Sequence, residues 1–89
     1  MINEFLLEEF GKRIKALRIN LDISQEALSH KTGFHRTYIG MIERGERNIS
    51  LINIAVFAKV FEMTVSELLD FKSGHNGHSF SDYETKSES

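Results

Sequence analysis

The sequence predicts an all-α fold of five short helices, on three observations. Apolar residues recur at steps of three and four along most of the chain, the period of a helix with one buried face. Serine or threonine stands before three of the apolar segments, where a helix N-cap is expected. The 89 residues include no proline, so nothing forbids long helical runs.

The first helix is predicted over residues 3–20. A single apolar stripe runs along it, made of Leu6, Phe10, Ile14, Leu17 and Leu21. The basic residues of the segment lie off that stripe, and they are Lys12, Arg13, Lys15 and Arg18. The periodicity breaks at residues 20–23, so the helix is expected to end there.

A second helix is predicted over residues 25–32, with Ser24 as its N-cap and with Ala27 and Leu28 facing inward. Gly33 follows at the position where a left-handed residue commonly ends a helix.

A third helix is predicted over residues 35–44, with Ile39 and Ile42 on its buried face and Gly45 at its end. Two short helices separated by a turn of three to four residues that contains glycine form a helix-turn-helix pattern.

The fourth helix, residues 51–61 after the Ser50 cap, is apolar nearly all round, so it must bury more than one face. Either a second copy of the chain covers the extra face, or the helix sits centrally in a five-helix bundle. The first alternative predicts a homodimer with Phe57, Val60 and Phe61 in its interface.

The last helix is predicted over residues 65–71 after Thr64, with Val65, Leu68 and Leu69 inward. From residue 73 onward the composition becomes serine-rich, polar and aperiodic. We therefore expect one domain over residues 1–72 and a flexible, disordered polar tail over residues 73–89.

Composition excludes several classes of protein. The absence of cysteine excludes disulfides, thiolate zinc sites and thiol nucleophiles. The N-terminal segment has early acids and no long apolar run, unlike a signal peptide. No stretch approaches the roughly 18 apolar residues needed to cross a bilayer. We expect a cytoplasmic protein with no membrane partner.

Neither a metal site nor a catalytic centre is expected. His75 and His78 are three residues apart but have no acids close by, and His30 and His35 have no partner in the sequence. Serine, histidine and glutamate occur, yet no pattern arranges a nucleophile with a base and an orienting group. We expect no catalytic residue, no metal, no cofactor and no small-molecule substrate.

The net charge of −2 hides an asymmetry along the chain. Residues 12–47 carry eight Lys and Arg against four acids, a local charge of +4. A positive region of this kind can steer a polyanion toward the protein. On charge alone, a mixed and solvated surface explains the pattern equally well.

The start of the third helix carries the candidate residues for reading base edges. Because Ile39 and Ile42 define the buried face, Arg36, Thr37 and Gly40 are expected on the opposite side. The residues that flank this side are His35 and Tyr38. Arginine can bind guanine O6 and N7 with two hydrogen bonds, and threonine offers a hydroxyl and a methyl for thymine. An ordinary solvated face remains the alternative, and for Tyr38 a half-buried ring with its hydroxyl at the rim.

Other polar residues are candidates for contacts with the DNA backbone. Gln25 starts the second helix, where its amide and free backbone N–H groups can bind a phosphate oxygen. Further candidates lie beside the two turns, and they are Ser24, Arg44, Arg47 and Asn48. The cluster after Gly45 could equally be a simple turn, in which asparagine is common.

The stretch ISQEALSHKTGFHRTYIGMIERGERNISL resembles the helix-turn-helix core of the lambda-repressor-like family, and within it most resembles the controller proteins of restriction–modification systems. The resemblance covers residues 5–71. It implies a five-helix domain that binds pseudo-palindromic operators in double-stranded DNA as a homodimer and regulates transcription.

The resemblance also implies residue roles. Gln25 would hold a phosphate, Arg36 and Thr37 would read bases beside Tyr38, and Arg47 and Asn48 would grip the backbone. It further implies that Arg18 and Glu43 brace the first and third helices, although an exposed pair contributes only about 0–1 kcal/mol. The last two helices would supply the dimer contacts.

The sequence departs from the family pattern at Gly40–Met41, where controllers often carry Ser-Gly. The target sequence of the chain is therefore open. A phage or chromosomal repressor and an antitoxin that represses its own operon remain alternatives within the same class. Outside it, a protein-interaction module would show acids in place of Arg36, Arg44 and Arg47, and an RNA-binding domain would show more exposed aromatic residues than Tyr38.

Overall fold

Five α-helices make up the part of the chain that the computed structural model describes, residues 4–71. The helices are α1 Glu4–Asn20, α2 Gln25–Thr32, α3 Arg36–Glu43, α4 Leu51–Val60 and α5 Val65–Leu68. No strand occurs between residues 4 and 71, and the predicted all-α class is confirmed. The expected tail at residues 73–89, with His75 and His78, lies outside the described residues.

Side-chain caps begin three of the helices where the sequence predicts them. The Ser24 hydroxyl accepts a hydrogen bond from the Ala27 N–H at 3.0 Å, and the Ser50 hydroxyl accepts one from the Asn53 N–H at 3.1 Å. Thr64 forms a capping box with Glu67 at the start of α5. Gly33 ends α2 with φ +81°, a conformation that glycine adopts without a steric cost.

The ends of α3 and the end of α4 differ from the prediction by one residue each. His35 is the N-cap of α3 and Arg44 is its C-cap, so each lies one residue outside the helix. α4 ends at Val60 instead of Phe61, a difference of one residue that is ordinary at a helix terminus.

α5 stops at Leu68, three residues before the predicted end. The Arg13 guanidinium, reaching over from α1, donates hydrogen bonds to the carbonyls of Glu67 at 2.8 Å and Leu68 at 3.1 Å. These bonds satisfy carbonyls that would otherwise face a further helical turn. Phe71 is buried in the core as part of the chain that follows the helix.

One hydrophobic core joins the five helices. Its buried side chains are Phe10, Ile14, Leu28, Ile39, Ile42, Phe57, Ala58, Leu68 and Phe71. Leu21 does not extend the stripe of α1 inward, because α1 ends at Asn20 and Leu21 is 48% exposed.

The expected interface role of Phe57 is wrong. Its side chain is 0% exposed. Its ring packs against Phe10, Phe34 and Phe61, with centroid separations of 6.3, 5.3 and 6.5 Å. A side chain enclosed in this way within one protomer has no surface to offer to a second.

α1 packs closely on α3, and this contact holds the third helix in position. At Gly11 a Cβ atom would lie 2.4 Å from the Ile42 carbonyl oxygen, so only glycine permits the approach. Between residues 4 and 71, no helix combines the length and the apolar character needed to cross a membrane.

Candidate nucleic-acid interface

The N-terminal end of α3 presents two exposed side chains that the sequence singled out. Ile39 and Ile42 are buried in the core, so Arg36 and Thr37 face solvent. His35 is exposed and caps the helix, because its Nδ1 accepts a hydrogen bond from the Thr37 N–H at 3.1 Å. The His35 Nδ1 is therefore engaged by the capping bond, and the helix begins at Arg36.

α2 and α3 together form a polar concavity of about 310 Å³, which we call the α2–α3 concavity. Its lining residues are Gln25, Arg36, Thr37, Gly40 and Arg44. Predicted backbone and base contacts from two different helices therefore meet on one surface. Neither Asn48 nor Tyr38 belongs to this lining.

Gly40 lines the concavity on the side of α3 opposite Ile39 and Ile42, as the sequence predicts. It is buried, and a Cβ atom here would lie 3.1 Å from Arg44 Nη1 and 3.7 Å from Gln25 Oε1. The missing side chain makes room for the Arg44 guanidinium to lie across α3.

Arg44 is held by an acid that sequence reasoning missed. Its Nε and Nη2 donate to the two carboxylate oxygens of Glu46 at 3.0 and 3.1 Å, a bidentate pair. This hydrogen bonding raises the pKa of Arg44 and lowers the pKa of Glu46. Arg44 therefore reaches the concavity already paired with an anion.

A buried network lies beneath the concavity. Arg18 Nε and Nη2 donate to the carboxylate oxygens of Glu43 at 2.7 and 3.1 Å. The two side chains are 12% and 3% exposed, so this is a buried pair and not a surface one. Donating hydrogen bonds to the Glu43 carboxylate raises the pKa of Arg18.

Gln25 is anchored to the same carboxylate. Its Nε2 donates to Glu43 Oε1 at 3.0 Å, so at least one of its two amide N–H donors points inward. The amide expected to face a phosphate is thus held in orientation by the pair that braces α1 and α3. Neither the sequence spacing nor any local pattern signals this bond.

Tyr38 is half-buried and is fixed on three sides. Its ring packs edge-on against Phe34 with centroids 5.1 Å apart. The Arg47 guanidinium carbon lies 5.3 Å from the ring centroid, a cation–π contact. Asn53 Nδ2 donates a hydrogen bond to the Tyr38 hydroxyl at 3.0 Å. Asn53 was not among the predicted site residues, because it lies on α4 beyond the recognised motif.

Three predicted backbone contacts are not part of the lining of the concavity, and they are Ser24, Arg47 and Asn48. Asn48 is exposed and borders a separate apolar cavity of about 190 Å³, which is lined by α1, α4 and the segment after α5. Ser24 is exposed, but its hydroxyl oxygen accepts the capping hydrogen bond of α2. Within residues 4–71 no group of three or more His, Cys, Asp and Glu side chains is placed to hold a metal ion.

Comparison with known proteins gives consistent matches. The helix-turn-helix family model matches residues 14–68. The control protein C.BamHI of Bacillus amyloliquefaciens is 43% identical over 63 residues, which cover 70% of this chain and 78% of that protein. The control protein C.SmaI of Serratia marcescens is 39% identical over 62 residues, covering 70% and 74%.

A solved structure agrees with these relatives. The crystal structure of the restriction-modification controller protein C.AhdI from Aeromonas hydrophila superposes with a TM-score of 0.67 at 42% sequence identity. The match covers 70% of this chain and 94% of that one.

Proposed function

The chain belongs to the helix-turn-helix family, within the restriction-modification controller proteins, and from this membership we propose that it acts as a homodimeric transcriptional regulator at pseudo-palindromic operators. A regulator of this kind works where the DNA is, so the proposal includes a cytoplasmic location. It includes no catalytic step, cofactor or small-molecule substrate.

One observation carries the proposal. Arg36 and Thr37 are exposed side by side at the start of α3, on the rim of the α2–α3 concavity. A recognition helix reaches base edges in the major groove with its N-terminal residues. Arg36 would bind a guanine through two hydrogen bonds, and Thr37 would contact a neighbouring base, with His35 and Tyr38 beside them.

The remaining polar residues would hold the phosphate backbone. Arg47 is exposed and lies against the Tyr38 ring, which keeps its guanidinium near the reading residues. Arg44 and Gln25 line the α2–α3 concavity, and Ser24 lies next to Gln25 as the N-cap of α2. Asn48 would contact the backbone from the far side of the turn.

Uncovered apolar surface on α4 supports the dimer. Val60 and Phe61, at the end of α4 where the interface is proposed, are only partly buried within the protomer. The proposed interface comprises Val60 and Phe61 at the C-terminal end of α4. The burial of Phe57 leaves the other two predicted interface residues available to a second copy.

The test is selection of bound duplexes from a random DNA library at about 150 mM salt, which suppresses non-specific binding. We expect enrichment of two-fold symmetric sites whose half-sites are one helical turn apart, about 10–10.5 base pairs, or a multiple of it. A folded protein that enriches no sequence would overturn the proposal and direct the search to protein partners.

A further inference from the structure

Tyr38 and Asn53 form a hydrogen bond between α3 and α4 that the proposed function does not use. Asn53 Nδ2 is the donor and the Tyr38 hydroxyl oxygen is the acceptor, at 3.0 Å. An amide NH₂ group has donors and no acceptor, so the phenol proton cannot point toward it. The O–H bond of Tyr38 must therefore point away from the Asn53 amide.

We propose that Asn53 is a positioning residue for DNA binding: it fixes the direction of the Tyr38 hydroxyl proton, so that Tyr38 meets DNA as a hydrogen-bond donor. The inference rests on the proposed function and assigns Asn53 a part in it. The partner on DNA is an acceptor atom, either a phosphate oxygen or an acceptor on a base edge.

The ring of Tyr38 is held well enough for the proton direction to matter. Phe34 packs edge-on against one part of the ring, and the Arg47 guanidinium lies over the ring at 5.3 Å. The proton of a phenol prefers the ring plane, so it has two orientations about a fixed ring. Asn53 excludes one of them and leaves the other.

The position of Asn53 is itself fixed. Its backbone N–H donates to the Ser50 hydroxyl in the cap of α4 at 3.1 Å, and Phe57, one turn further on, is fully buried. The Asn53 side chain is therefore attached to a well-fixed first turn of α4. A donor on α4 thus determines the direction of a hydroxyl proton on α3.

DNA offers mainly acceptors where Tyr38 would meet it. Phosphate oxygens are acceptors only, and the major-groove edge of guanine presents acceptors at N7 and O6. A phenol whose proton already points outward binds such an atom without reorientation. A phenol that donated inward would turn an oxygen lone pair toward the acceptor atom on DNA, and the two lone pairs would repel each other.

The test is a double-mutant cycle on the full chain, with the operator selected above and with a random duplex. Asn53→Asp and Asn53→Ala are each made with Tyr38 present and in the Tyr38→Phe background. Asp replaces the inward donor by an acceptor, and an acid in the first turn of a helix does not destabilise it. Phe keeps the ring and loses only the hydroxyl.

With Tyr38 present, we expect Asn53→Asp to weaken operator binding about tenfold more than in the Phe background, the scale of one hydrogen bond to a charged group. The added negative charge repels DNA in both backgrounds and cancels from the comparison. In Asn53→Ala the Tyr38 hydroxyl proton is free to occupy both orientations, so about half of the molecules have it in the orientation that binds. We therefore expect operator affinity to fall about twofold with Tyr38 present and not to change in the Phe background.

Equal losses in both backgrounds overturn the proposal, since Asn53 would then act only through charge or through the stability of α4. Thermal unfolding identifies a variant that fails to fold, and the Ala pair decides the matter if the Asp pair does not fold. If the additional loss of affinity with Tyr38 present occurs on both the operator and the random duplex, the acceptor is a phosphate oxygen. If it occurs only on the operator, the acceptor is on a base. If the unaltered protein binds no duplex, both the proposed function and this inference fail. If it binds the operator but the effects of the Asn53 and Tyr38 substitutions simply add, only this inference fails.

Discussion

Arg36 is the residue on which the reading of sequence depends most. It is exposed at the first position of α3 and has no hydrogen-bonding partner assigned within residues 4–71, unlike Arg18 and Arg44. We expect Arg36→Ala to cost about 1–3 kcal/mol on the operator and to relax the choice at one base position. Fluorescence anisotropy with a set of single-base operator variants measures both effects.

Lys31→Ala is the matched control for Arg36, since it removes an exposed positive charge from α2 outside the concavity. It should cause a small and equal loss on operator and random DNA. If Arg36→Ala behaves in the same way, Arg36 is a phosphate contact and base reading lies elsewhere.

Glu46 restrains Arg44 at the edge of the proposed interface. The paired carboxylate should weaken the contact of the Arg44 guanidinium with phosphate, so we expect Glu46→Gln to tighten binding to random DNA severalfold. The slope of log K against log salt should steepen by up to about 0.9, the increment for one full phosphate contact. Glu26→Gln is the control, because Glu26 is a similarly exposed acid next to His30 and no arginine. Identical effects of the two substitutions would mean that only net charge matters.

The lowered pKa of Glu46 gives the pair a defined pH window. A carboxyl whose folded pKa is depressed contributes above its ordinary pKa and loses the contribution as the pH falls through the depressed one. The restraint on Arg44 is therefore complete at neutral pH. Both side chains are more than half exposed, so solvent screening keeps the effect on stability small.

At the scale of elements, the contact of α1 with α3 depends on Arg18 and Glu43. Removing the Arg18 guanidinium would leave the Glu43 carboxylate, which is 3% exposed, without its positively charged partner. The uncharged Gln25 amide would still donate a hydrogen bond to it. We expect Arg18→Met to lower the free energy of unfolding by about 3–5 kcal/mol, measured by urea denaturation.

Arg13→Met is the matched control for that prediction. It removes an arginine from α1 and two hydrogen bonds to carbonyls, but leaves no buried charge behind. We expect a loss of about 1–2 kcal/mol, from two hydrogen bonds of ordinary strength. A loss for Arg18→Met no greater than for Arg13→Met would mean that water screens the Glu43 carboxylate.

The starts of α2, α4 and α5 were predictable because capping is local. Ser24, Ser50 and Thr64 each accept a hydrogen bond from the backbone three residues later, so the signal lies within four letters of sequence. The end of α5 was not predictable in this way. It depends on Arg13, more than fifty residues earlier, reaching its last carbonyls.

At the scale of the whole molecule, the proposed dimer makes Val60 the residue to test. Val60 is partly exposed at the C-terminal end of α4. We expect Val60→Lys to convert a dimer to a monomer in sedimentation at micromolar concentration, and to weaken operator binding accordingly. Ile52→Lys, at the other end of α4, should leave the dimer intact. The reverse outcome would move the interface to the N-terminal end of the helix, and a monomeric unaltered protein would remove the dimer from the proposal.

Residues 73–89 give a second prediction at this scale. Their composition is polar and aperiodic, so they are not expected to contribute to the core or to the DNA surface. Deleting them should leave the thermal midpoint and the operator affinity nearly unchanged. A large loss of either would show that the segment takes part in folding or binding.

The number of helices, the Ser and Thr caps of α2, α4 and α5, the inward face of α3 and the family could all be predicted from the sequence alone. Each depends on periodicity or on hydrogen bonds within one turn, which the sequence encodes directly. The exposed position of Arg36 and Thr37 followed from Ile39 and Ile42 by the same logic.

The partners of the site residues required the folded chain. Gln25 meets Glu43, Arg18 meets the same carboxylate, and Tyr38 meets Asn53 across 15 to 25 residues of sequence, in pairs that no local pattern encodes. Residues two apart do not face each other on a helix. Arg44 and Glu46 can pair because α3 ends at Glu43 and both residues lie beyond it. Periodicity assigns side chains to a face, but three-dimensional packing decides which of them are restrained before DNA arrives.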